Sequence, residues 1–557
     1  MAKRKRAAPA PPAPAASGLT GRRLAALAAA SGALAAIVHG ASLKVPFVFD
    51  DAFTVVQNPT LRAPVNVVAL LLWSRFRPLV NVSYAIDAAV HGIEPFGFHL
   101  TNLLLHGLCA ALAALVATAA ARDAAVRAGV RSPALGWQLL PAALFAVHPM
   151  LTQGVAYVSA RSELLSTAFG LLAVLALRRA YFSPKATWLV LGASSLVAAL
   201  ASKESAAAVP FVALGWAFWL LPAPASPHQV RARRTVWALV GLVAVAGVLR
   251  VLALWRFEAP VPRGPFEHLM LEGVLLWTYL RLFLLPYGQT LEHGVREIAS
   301  PFELWVVLAF AALAAGAFLV VRVRRAAPLA VLGIGWFLLF LLPSSSVVPL
   351  NEPMSEHRAY GASLGLFLAV SHGLWRAARA LGSERAERAT GLAAVAGAVA
   401  VFAPLTYLRD TVWADPVRLW TEAVEASPGV WAAQYSLGGL LANQDNCRDA
   451  VKPLRAAIAL VPDEVKAHNT LAHCLATLGH LDQAYAVLTE ATRRAPNDAQ
   501  TWANLAALAV ASRRPDKARE FLTRALVLEP GATTRRDHLK DLDGMPLDER
   551  APWPPLP

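Results

Sequence analysis

The sequence has few charged residues and very few cysteines, and each shortage excludes a class of protein. Charged residues make up 16% of the 557 residues and hydrophobic residues 57%, a balance too apolar for a soluble protein of this length. The three cysteines show no Cys-x-x-Cys spacing, which excludes a recognisable zinc site or a dense disulfide framework. No glycine-rich phosphate loop follows a predicted strand, so a nucleotide-binding domain is not indicated.

What the sequence has instead is a series of apolar segments long enough to cross a bilayer. Basic residues cluster between these segments, as in cytoplasmic loops that face anionic lipid, so the net charge of +15 does not indicate nucleic-acid binding. Placing the basic clusters inside predicts eleven spans, a cytoplasmic amino terminus and an outer carboxy-terminal region. The predicted spans are residues 22–43, 97–121, 134–150, 162–181, 186–202, 205–222, 234–254, 303–321, 327–343, 360–378 and 389–408.

Two segments depart from that pattern. Residues 1–21 are basic and rich in alanine and proline, which predicts a disordered cytoplasmic tail. The apolar stretch from Leu269 to Leu285 contains Glu272 and Arg281. Counting it as a span would move the basic cluster that follows to the outside, so we predict a re-entrant or interfacial segment.

A repeat begins where the apolar segments end. Pro428, Pro462, Pro496 and Pro530 follow one another at intervals of 34 residues, with leucine and alanine in register between them. This period resembles the tetratricopeptide repeat, in which paired helices stack through small residues. The predicted fold is therefore all-α: a transmembrane helical bundle over 22–408, repeats over 409–530, and a capping helix with a proline-rich tail over 531–557. Three repeats are complete, and Pro416 to Ala426 is read as half of a degenerate first one.

Two cysteines, Cys447 and Cys474, lie in these repeats. A disulfide between them is compatible with an outer location of the repeats. We favour the alternative of two small buried thiols at helix contacts.

Two adjacent carboxylates, Asp50 and Asp51, are the first acidic residues of the chain and follow the first span directly. Carboxylates held at a membrane surface among aromatic neighbours are costly unless they are used or paired. One of them can act as a general base that takes the proton of a hydroxyl nucleophile. The alternative is structural, with one aspartate capping the next helix and the other pairing with Arg62 or Arg77.

A second group of polar residues lies on one predicted span. His99, Asn102 and His106 are spaced i, i+3, i+7, which places them on one helical face that points into the bundle. They are predicted to line a cavity or to form hydrogen bonds between helices. Two histidines at this spacing would need ligands from other helices to bind a metal, so no metal site and no cofactor is predicted.

Further ionisable residues flank later spans. Arg358, beside His357 and Glu356, has the fork geometry that suits a phosphate, although arginines at span ends also extend to lipid headgroups. His148-Pro149 ends one span, and Arg161 with Glu163 begins the next, where Glu163 is also suited to a helix amino terminus. We expect Lys203 and Glu204 to pair with each other.

These motifs, taken in order, resemble one family. They are Phe49-Asp50-Asp51, Arg77-Pro78-Leu79 with Asn81, Pro95 to His106, His148-Pro149, Ala160-Arg161-Ser162-Glu163, Ser202-Lys203-Glu204 and Glu356-His357-Arg358-Ala359-Tyr360. With the repeats, they make the chain similar to the transmembrane and tetratricopeptide-repeat-containing proteins, relatives of the protein O-mannosyltransferases with the GT-C fold. The sequence departs from the family pattern at Gln153, where relatives often carry an acidic residue, and this weakens a metal or second-base role there.

The resemblance implies transfer of a sugar, mannose, from a polyprenyl-phosphate donor to an acceptor hydroxyl on the non-cytoplasmic face. It places the catalytic acidic residue in the first outer loop, at Asp50 or Asp51, and an acidic residue near the site in the second. On this basis we expect Arg358, His357 and Arg161 to bind the donor phosphate. The expected cavity-lining residues are His99, Asn102, His106, His148, Glu163 and Glu356.

The expected partners are the lipid-linked sugar, membrane lipids, and an acceptor protein or peptide that binds the repeats. High alanine, arginine and proline content is compatible with a bacterium of GC-rich genome, hence with an inner-membrane protein whose repeats are periplasmic. Two other functions remain open: a glycosyltransferase acting on a lipid or cell-envelope glycan, and a non-catalytic membrane-anchored scaffold.

Overall fold

Every regular element in the described part of the chain is a helix, which confirms the predicted all-α fold class. The computed structural model describes residues 21–62, 66–74, 76–257, 263–343, 352–380 and 382–541. These residues fall into two units. The bundle unit comprises Met1–Gln289 and Arg296–Ala414, and the repeat unit comprises Thr290–Val295 and Asp415–Pro557.

In its described residues the bundle unit has fifteen α-helices and several short helical turns. The α-helices are α1 Gly21–Val38, α2 Val67–Trp73, α3 Pro78–His91, α4 Pro95–Ala128, α5 Leu135–Val147, α6 Thr152–Ala156, α7 Arg161–Phe182, α8 Thr187–Leu200, α9 Val209–Trp219, α10 Pro227–Phe257, α11 Pro265–Leu284, α12 Leu304–Val323, α13 Pro328–Leu341, α14 Tyr360–Arg379 and α15 Glu384–Trp413. The turns are Gly40–Lys44, Ala52–Val56, Pro59–Leu61, Pro149–Leu151, Val158–Ala160, Glu204–Ala208 and Glu356–Ala359.

A helix lies at each of the eleven positions predicted to span the membrane, but their lengths differ. In the described residues six are long and apolar enough to cross a bilayer, and a seventh is obtained if α5 and the segment after it, bent by 51°, count as one span. Helices α8 and α13 have only 14 residues each. At 1.5 Å per residue such a helix is about 21 Å long, shorter than a hydrocarbon core of about 30 Å. The predicted count of eleven complete spans is therefore not established by length and composition.

The segment predicted to be re-entrant forms one continuous helix, α11, from Pro265 to Leu284. It is not one of the six apolar helices of spanning length. Buried His268 and Glu272 lie on it, together with Tyr279, whose hydroxyl donates to the carbonyl of Ser355 at 2.9 Å. Because its buried face is partly polar, α11 is suited to packing beside a loop, and its path relative to the membrane stays a prediction.

Small residues bring α1 and α4 close together. A Cβ atom added at Gly32 would lie 2.7 Å from the carbonyl oxygen of Gly107, a separation that real Cβ atoms do not show. Close backbone approach of this kind is typical of helix contacts in membranes. It also brings His39, directly after α1, against His106 on α4, with ring centroids 4.6 Å apart.

The repeat unit consists of paired helices that follow the predicted period. Its helices are α16 Pro416–Ala426, α17 Trp431–Asn443, α18 Cys447–Leu460, α19 Val465–Thr477, α20 Leu481–Arg494, α21 Ala499–Ala511, α22 Pro515–Leu528 and α23 Thr533–Asp541. The alanines that were expected in register on the second helix of each pair are fully buried: Ala450, Ala457, Ala484, Ala491, Ala518 and Ala525. A side chain larger than alanine at these positions would separate the helices, which explains the periodic placement of alanine. The proline-rich tail lies outside the described residues.

The two cysteines of the repeat unit are paired, contrary to the interpretation that we favoured from the sequence. Cys447 begins α18 and Cys474 lies on α19, and their Cα atoms are 4.8 Å apart in a disulfide. The sequence does not show this proximity, because it depends on where consecutive helix pairs cross. Cys109 in the bundle unit is buried and free.

Candidate active site

Three loops of the bundle unit carry the predicted active-site residues. We call residues 39–62 the first loop, residues 148–160 the second and residues 352–359 the third. Asp51 joins the first loop to the second: its Oδ1 accepts hydrogen bonds from the backbone N–H and the hydroxyl of Ser159, at 2.8 and 2.6 Å. Its Oδ2 accepts from the backbone N–H of Val48 at 3.2 Å. Both oxygens of this buried carboxylate are therefore engaged.

Asp50 differs from Asp51 in its exposure to solvent. Its side chain is exposed, and it follows Phe49, whose backbone has φ +52°. This left-handed conformation costs a residue with a Cβ about 1–2 kcal/mol. It persists here because Asp51 fixes the next position, and strain of this kind is concentrated at functional sites.

Both carboxyl groups have a pKa above the ordinary value. Partial desolvation raises the pKa of Asp50, and the Tyr157 hydroxyl acts in the opposite direction. Complete burial raises the pKa of Asp51 from 3.8 to about 7, against the hydrogen bonds from Ser159 and Val48. A carboxylate with a raised pKa is a stronger base, and Asp50 is the one that a reactant can reach.

Tyr157 lies at the centre of the loop cluster. Its ring centroid is 6.3 Å from Phe49, 6.1 Å from His357 and 6.1 Å from Trp413 at the end of α15. It therefore contacts the first loop, the third loop and α15. Our sequence analysis missed both Tyr157 and Ser159, although they lie between the His-Pro motif and the Ala160-Arg161 motif.

Arg161 does not face the loop surface but lies in a buried network. Its guanidinium forms an ion pair with Asp87 at 2.5 Å, and it donates to Asn102 Oδ1 and to the carbonyl of Phe98, both at 2.7 Å. The same group lies over the Tyr84 ring, 4.7 Å from its centroid. Because protein acceptors engage Arg161 on several sides, its geometry does not favour the phosphate role that we expected. The sequence analysis did not identify Asp87, although a charged residue in an apolar segment needs a partner of opposite charge.

Glu163 and the charged residues after α8 pair differently from the expectation. Lys203 binds Glu163 at 2.7 Å, and both side chains are buried. Glu204 pairs with Arg77 at 2.9 Å, at a half-exposed position. The expected Lys203–Glu204 pair is therefore wrong, and Arg77 pairs with neither Asp50 nor Asp51. Neighbours in sequence point apart here because Lys203 is extended while Glu204 begins a helical turn.

The polar face of α4 lies in the interior of the bundle unit, where its three residues have separate partners. Asn102 donates to the carbonyls of Val155 and Tyr157, both at 3.3 Å, and so supports the second loop. His106 Nδ1 lies 2.7 Å from the Tyr360 hydroxyl. His99 is fully buried. In the described residues no group of three or more His, Cys, Asp or Glu side chains is placed to hold a metal ion.

His148 and Glu356 are both engaged by the protein. His148 Nε2 lies 3.0 Å from the Phe283 carbonyl, and its Nδ1 accepts from the N–H of Met150 at 3.2 Å. Glu356 accepts from Gln289, which also donates to the carbonyl of Pro149, so Gln289 links the second and third loops. These contacts hold both side chains between the second loop, the third loop and the end of α11.

His357 and Arg358 lie closer to the loop surface. The backbone N–H of His357 donates to Gln153 Oε1 at 2.7 Å, so Gln153 joins the second loop to the third. Burial lowers the pKa of His357 well below its ordinary value, with further lowering by the charges of Lys203, Arg358 and Arg77. Within the described chain, Arg358 donates from Nη1 to the carbonyls of Glu352 and Pro353. The candidate site thus has an exposed carboxylate, Asp50, on the first loop and a guanidinium, Arg358, on the third.

Comparison with known proteins agrees with this two-part organisation. The tetratricopeptide repeat family model matches residues 441–509 and 475–535. Over 558 aligned residues, the chain is 24% identical to a protein of Drosophila melanogaster named protein O-mannosyl-transferase Tmtc3, covering 84% of this chain and 60% of that protein. Human protein O-mannosyl-transferase TMTC1 is 23% identical, over 78% of this chain and 55% of the relative.

Another relative is more similar to this chain, over a shorter region. Protein O-mannosyl-transferase Tmtc1 of Drosophila melanogaster is 32% identical over 187 residues, which cover 31% of this chain and 20% of that protein. The chain thus spans only part of the length of these relatives. The resemblance predicted from the motifs is confirmed: over most of its length, this chain is similar to the transmembrane and tetratricopeptide-repeat-containing proteins.

Proposed function

We propose that the chain is an integral membrane glycosyltransferase that transfers mannose from a polyprenyl-phosphate donor to a Ser or Thr hydroxyl of an acceptor protein. The observation that carries the proposal is the contrast between the two adjacent aspartates. Asp51 is buried and fully hydrogen-bonded, whereas Asp50 is exposed on a strained turn beside Tyr157. This is the loop in which the family resemblance places the catalytic acidic residue, and the relatives are named protein O-mannosyl-transferases.

In this mechanism Asp50 is the general base. The acceptor oxygen attacks the anomeric carbon, and its proton passes to the Asp50 carboxylate as the new C–O bond forms. The bond from the anomeric carbon to the phosphate oxygen breaks at the same time, and its electron pair leaves with the polyprenyl phosphate. This leaving group is already a stable anion, so no general acid is required. A single displacement inverts the configuration at the anomeric carbon, through a transition state with oxocarbenium character.

Arg358 and His357 are assigned to the donor phosphate, and Arg161 is not. Only Nη1 of Arg358 has acceptors in the described chain. The other nitrogens of the guanidinium therefore remain as donors to phosphate oxygens. His357 is held in place through its backbone by Gln153. With its pKa lowered by burial, the His357 imidazole is neutral and can donate one hydrogen bond. Arg161 supports the second loop through Asn102 instead.

The repeat unit is assigned to acceptor binding on the non-cytoplasmic face. The Cys447–Cys474 disulfide supports this side, because disulfides persist in oxidising compartments. In a bacterium that compartment is the periplasm, as the distribution of basic clusters also predicts. Helix pairs of this type form extended surfaces suited to peptide segments.

The test is a transfer assay in membranes that contain the full chain. A radiolabelled polyprenyl-phosphate mannose and an envelope-protein fraction are supplied to the wild type, Asp50→Asn and Glu94→Gln. Glu94 is a matched control, because it is an exposed carboxylate at the start of α4 with no capping hydrogen bond. We expect Asp50→Asn to lower transfer by about 10²- to 10⁴-fold, and Glu94→Gln to leave it unchanged.

The other outcomes identify the alternatives. Label that enters lipid or glycan instead of protein would favour a cell-envelope glycosyltransferase. Full transfer by Asp50→Asn would refute the proposed base. Absence of transfer with any lipid-linked sugar by a correctly inserted wild type would favour a membrane-anchored scaffold.

A further inference from the structure

We propose that four buried polar residues in the bundle unit, His39, His106, Tyr360 and Asp410, act together as positioning residues that hold the three loops of the site. We call these residues the anchor cluster. The inference rests on the proposed function, because its catalytic consequence is transfer at Asp50. Its structural consequence, the attachment of the first loop, is independent of that function.

The first half of the cluster is a dyad between two distant parts of the chain. His39 Nδ1 lies 3.3 Å from Asp410 Oδ2, and both side chains are fully buried. His39 directly follows α1, and Asp410 lies one turn from the end of α15. The dyad therefore ties the start of the first loop to the helix end that carries Trp413.

The second half joins α4 to the third loop. His106 Nδ1 lies 2.7 Å from the Tyr360 hydroxyl, and the His106 ring contacts the His39 ring edge-on, at 4.6 Å between centroids. Tyr360 directly follows the third loop and begins α14. Gly154 leaves room for its ring, since a Cβ there would lie 2.6 Å from Tyr360 Cδ2. Tyr360 thus packs against the second loop as well.

Three segments of the chain lead from the anchor cluster to Asp51 or to residues that contact Tyr157. From His39 the turn Gly40–Lys44 leads to Asp51, which fixes the position of Asp50. From Asp410 the last turn of α15 leads to Trp413, which contacts Tyr157. From Tyr360 the chain leads back to His357, whose ring also contacts Tyr157. One cluster therefore fixes the base, the tyrosine beside it and the proposed phosphate contact.

The chemistry of the cluster argues against a role in simple packing. Apolar side chains of similar volume fill a helix interior at lower cost than ionisable ones. Yet neither ring nitrogen of His39 and neither carboxyl oxygen of Asp410 has a hydrogen-bond partner in the described chain, so the dyad is a close polar contact and not a hydrogen bond. Buried polar groups that are kept despite this cost can fix one arrangement among several. Catalytic groups need such pre-organisation.

The first experiment measures kcat and the donor KM for full-length His39→Ala, Asp410→Ala, Asp410→Asn and the double variant His39→Ala/Asp410→Ala. Ser371→Ala is the matched control: Ser371 is buried on α14, the helix that Tyr360 begins, and donates to the Trp137 carbonyl at 2.9 Å. Displacement of catalytic groups by an ångström costs on the order of a hundredfold in rate, so kcat should fall by about that factor in the alanine variants. We expect the donor KM to change little, and Asp410→Asn, which keeps a hydrogen-bonding group, to recover part of kcat.

The double variant decides whether the dyad acts as a unit. If it does, the double variant loses no more activity than the worse single variant, because one contact is lost in each case. Losses that multiply, or single variants as active as Ser371→Ala, would overturn the proposal. An equal loss in Asp410→Asn and Asp410→Ala would also contradict positioning through this contact.

A second readout needs no transferase activity. Lys44 is exposed but Val45 is buried, so the bond between them is protected while the first loop is docked. In folded, membrane-inserted protein, trypsin should cleave after Lys44 faster in His39→Ala than in the wild type or Ser371→Ala. Unchanged cleavage would refute the anchoring role. If the wild type shows no transfer activity but His39→Ala is still cleaved faster than the wild type, the proposed function is refuted and the anchoring role is supported.

Discussion

The bundle unit and the repeat unit bury different kinds of residue. Inside the bundle unit lie several ionisable side chains, among them Asp51, Asp87, Arg161, Glu163 and Lys203. The repeat unit buries fewer ionisable side chains: in the described chain its buried polar residues are Thr290, Glu292, Ser427, Gln434, His468, Thr492 and Thr501. Since buried charge costs stability unless it is paired, this difference supports the proposal of an active site in the bundle unit. The repeat unit instead maximises close packing, which suits a binding surface.

The largest stability difference between the units should come from their ion pairs. Asp87→Ala leaves Arg161 buried without its carboxylate and should lower the free energy of unfolding by about 3–5 kcal/mol. Arg418→Ala removes a partly exposed pair with Glu422 on the repeat unit and should cost about 0.5 kcal/mol. Denaturant unfolding of the detergent-solubilised full chain, followed by circular dichroism, measures both. Similar effects of the two variants would contradict the contrast between the units.

The disulfide should be the strongest single constraint within the repeat unit. The bond closes a sequence separation of 27 residues, and its loss should destabilise this unit by about 2–4 kcal/mol. Reduction should therefore speed proteolysis within residues 431–495 while the bundle unit stays resistant. Cys447→Ser should show the same fast cleavage with or without reductant. Cleavage that reductant does not accelerate in the wild type would show that the bond contributes little.

The Asp51 carboxyl should make the bundle unit sensitive to pH. Its pKa is 3.8 ordinarily and about 7 in the folded chain. Between these values the folded state binds more protons than the unfolded state, so stability falls as pH rises through this window and is flat above it. In Asp51→Asn, which keeps an oxygen for the Ser159 donors, the fall should be smaller. Denaturant midpoints measured from about pH 4 to about pH 8 test this, and equal slopes would contradict it.

A smaller effect than the loss of the Asp87 ion pair is expected when one of the two hydrogen bonds from Ser159 to Asp51 is removed. Ser159→Ala removes the hydroxyl donor to Asp51 but keeps the backbone donor, so the first loop stays attached by a weaker contact. The stability cost should be about 1–3 kcal/mol, because the buried carboxylate loses one of its charge-assisted hydrogen bonds. Transfer should fall less than in Asp50→Asn. A loss as large as that of Asp50→Asn would indicate that Ser159 itself contacts a reactant.

Local patterns in the sequence determined the elements of this protein. The 34-residue period located every helix pair of the repeat unit, because stacking of identical units requires small residues at fixed intervals. The apolar segments located the helices of the bundle unit, and the i, i+3, i+7 spacing correctly put His99, Asn102 and His106 in its interior. Family motifs identified the loops of the candidate site. Each of these features depends on residues close together in the chain.

Only the tertiary structure decided which side chains meet. Arg161 pairs with Asp87, Lys203 with Glu163 rather than its neighbour, and Cys447 with Cys474. The difference between Asp50 and Asp51 arises the same way, since Ser159 is 108 positions from the aspartate it binds. Helical periodicity specifies the direction of a side chain from its own helix axis but not what lies opposite. That depends on how helices cross, which is set by packing between segments distant in sequence.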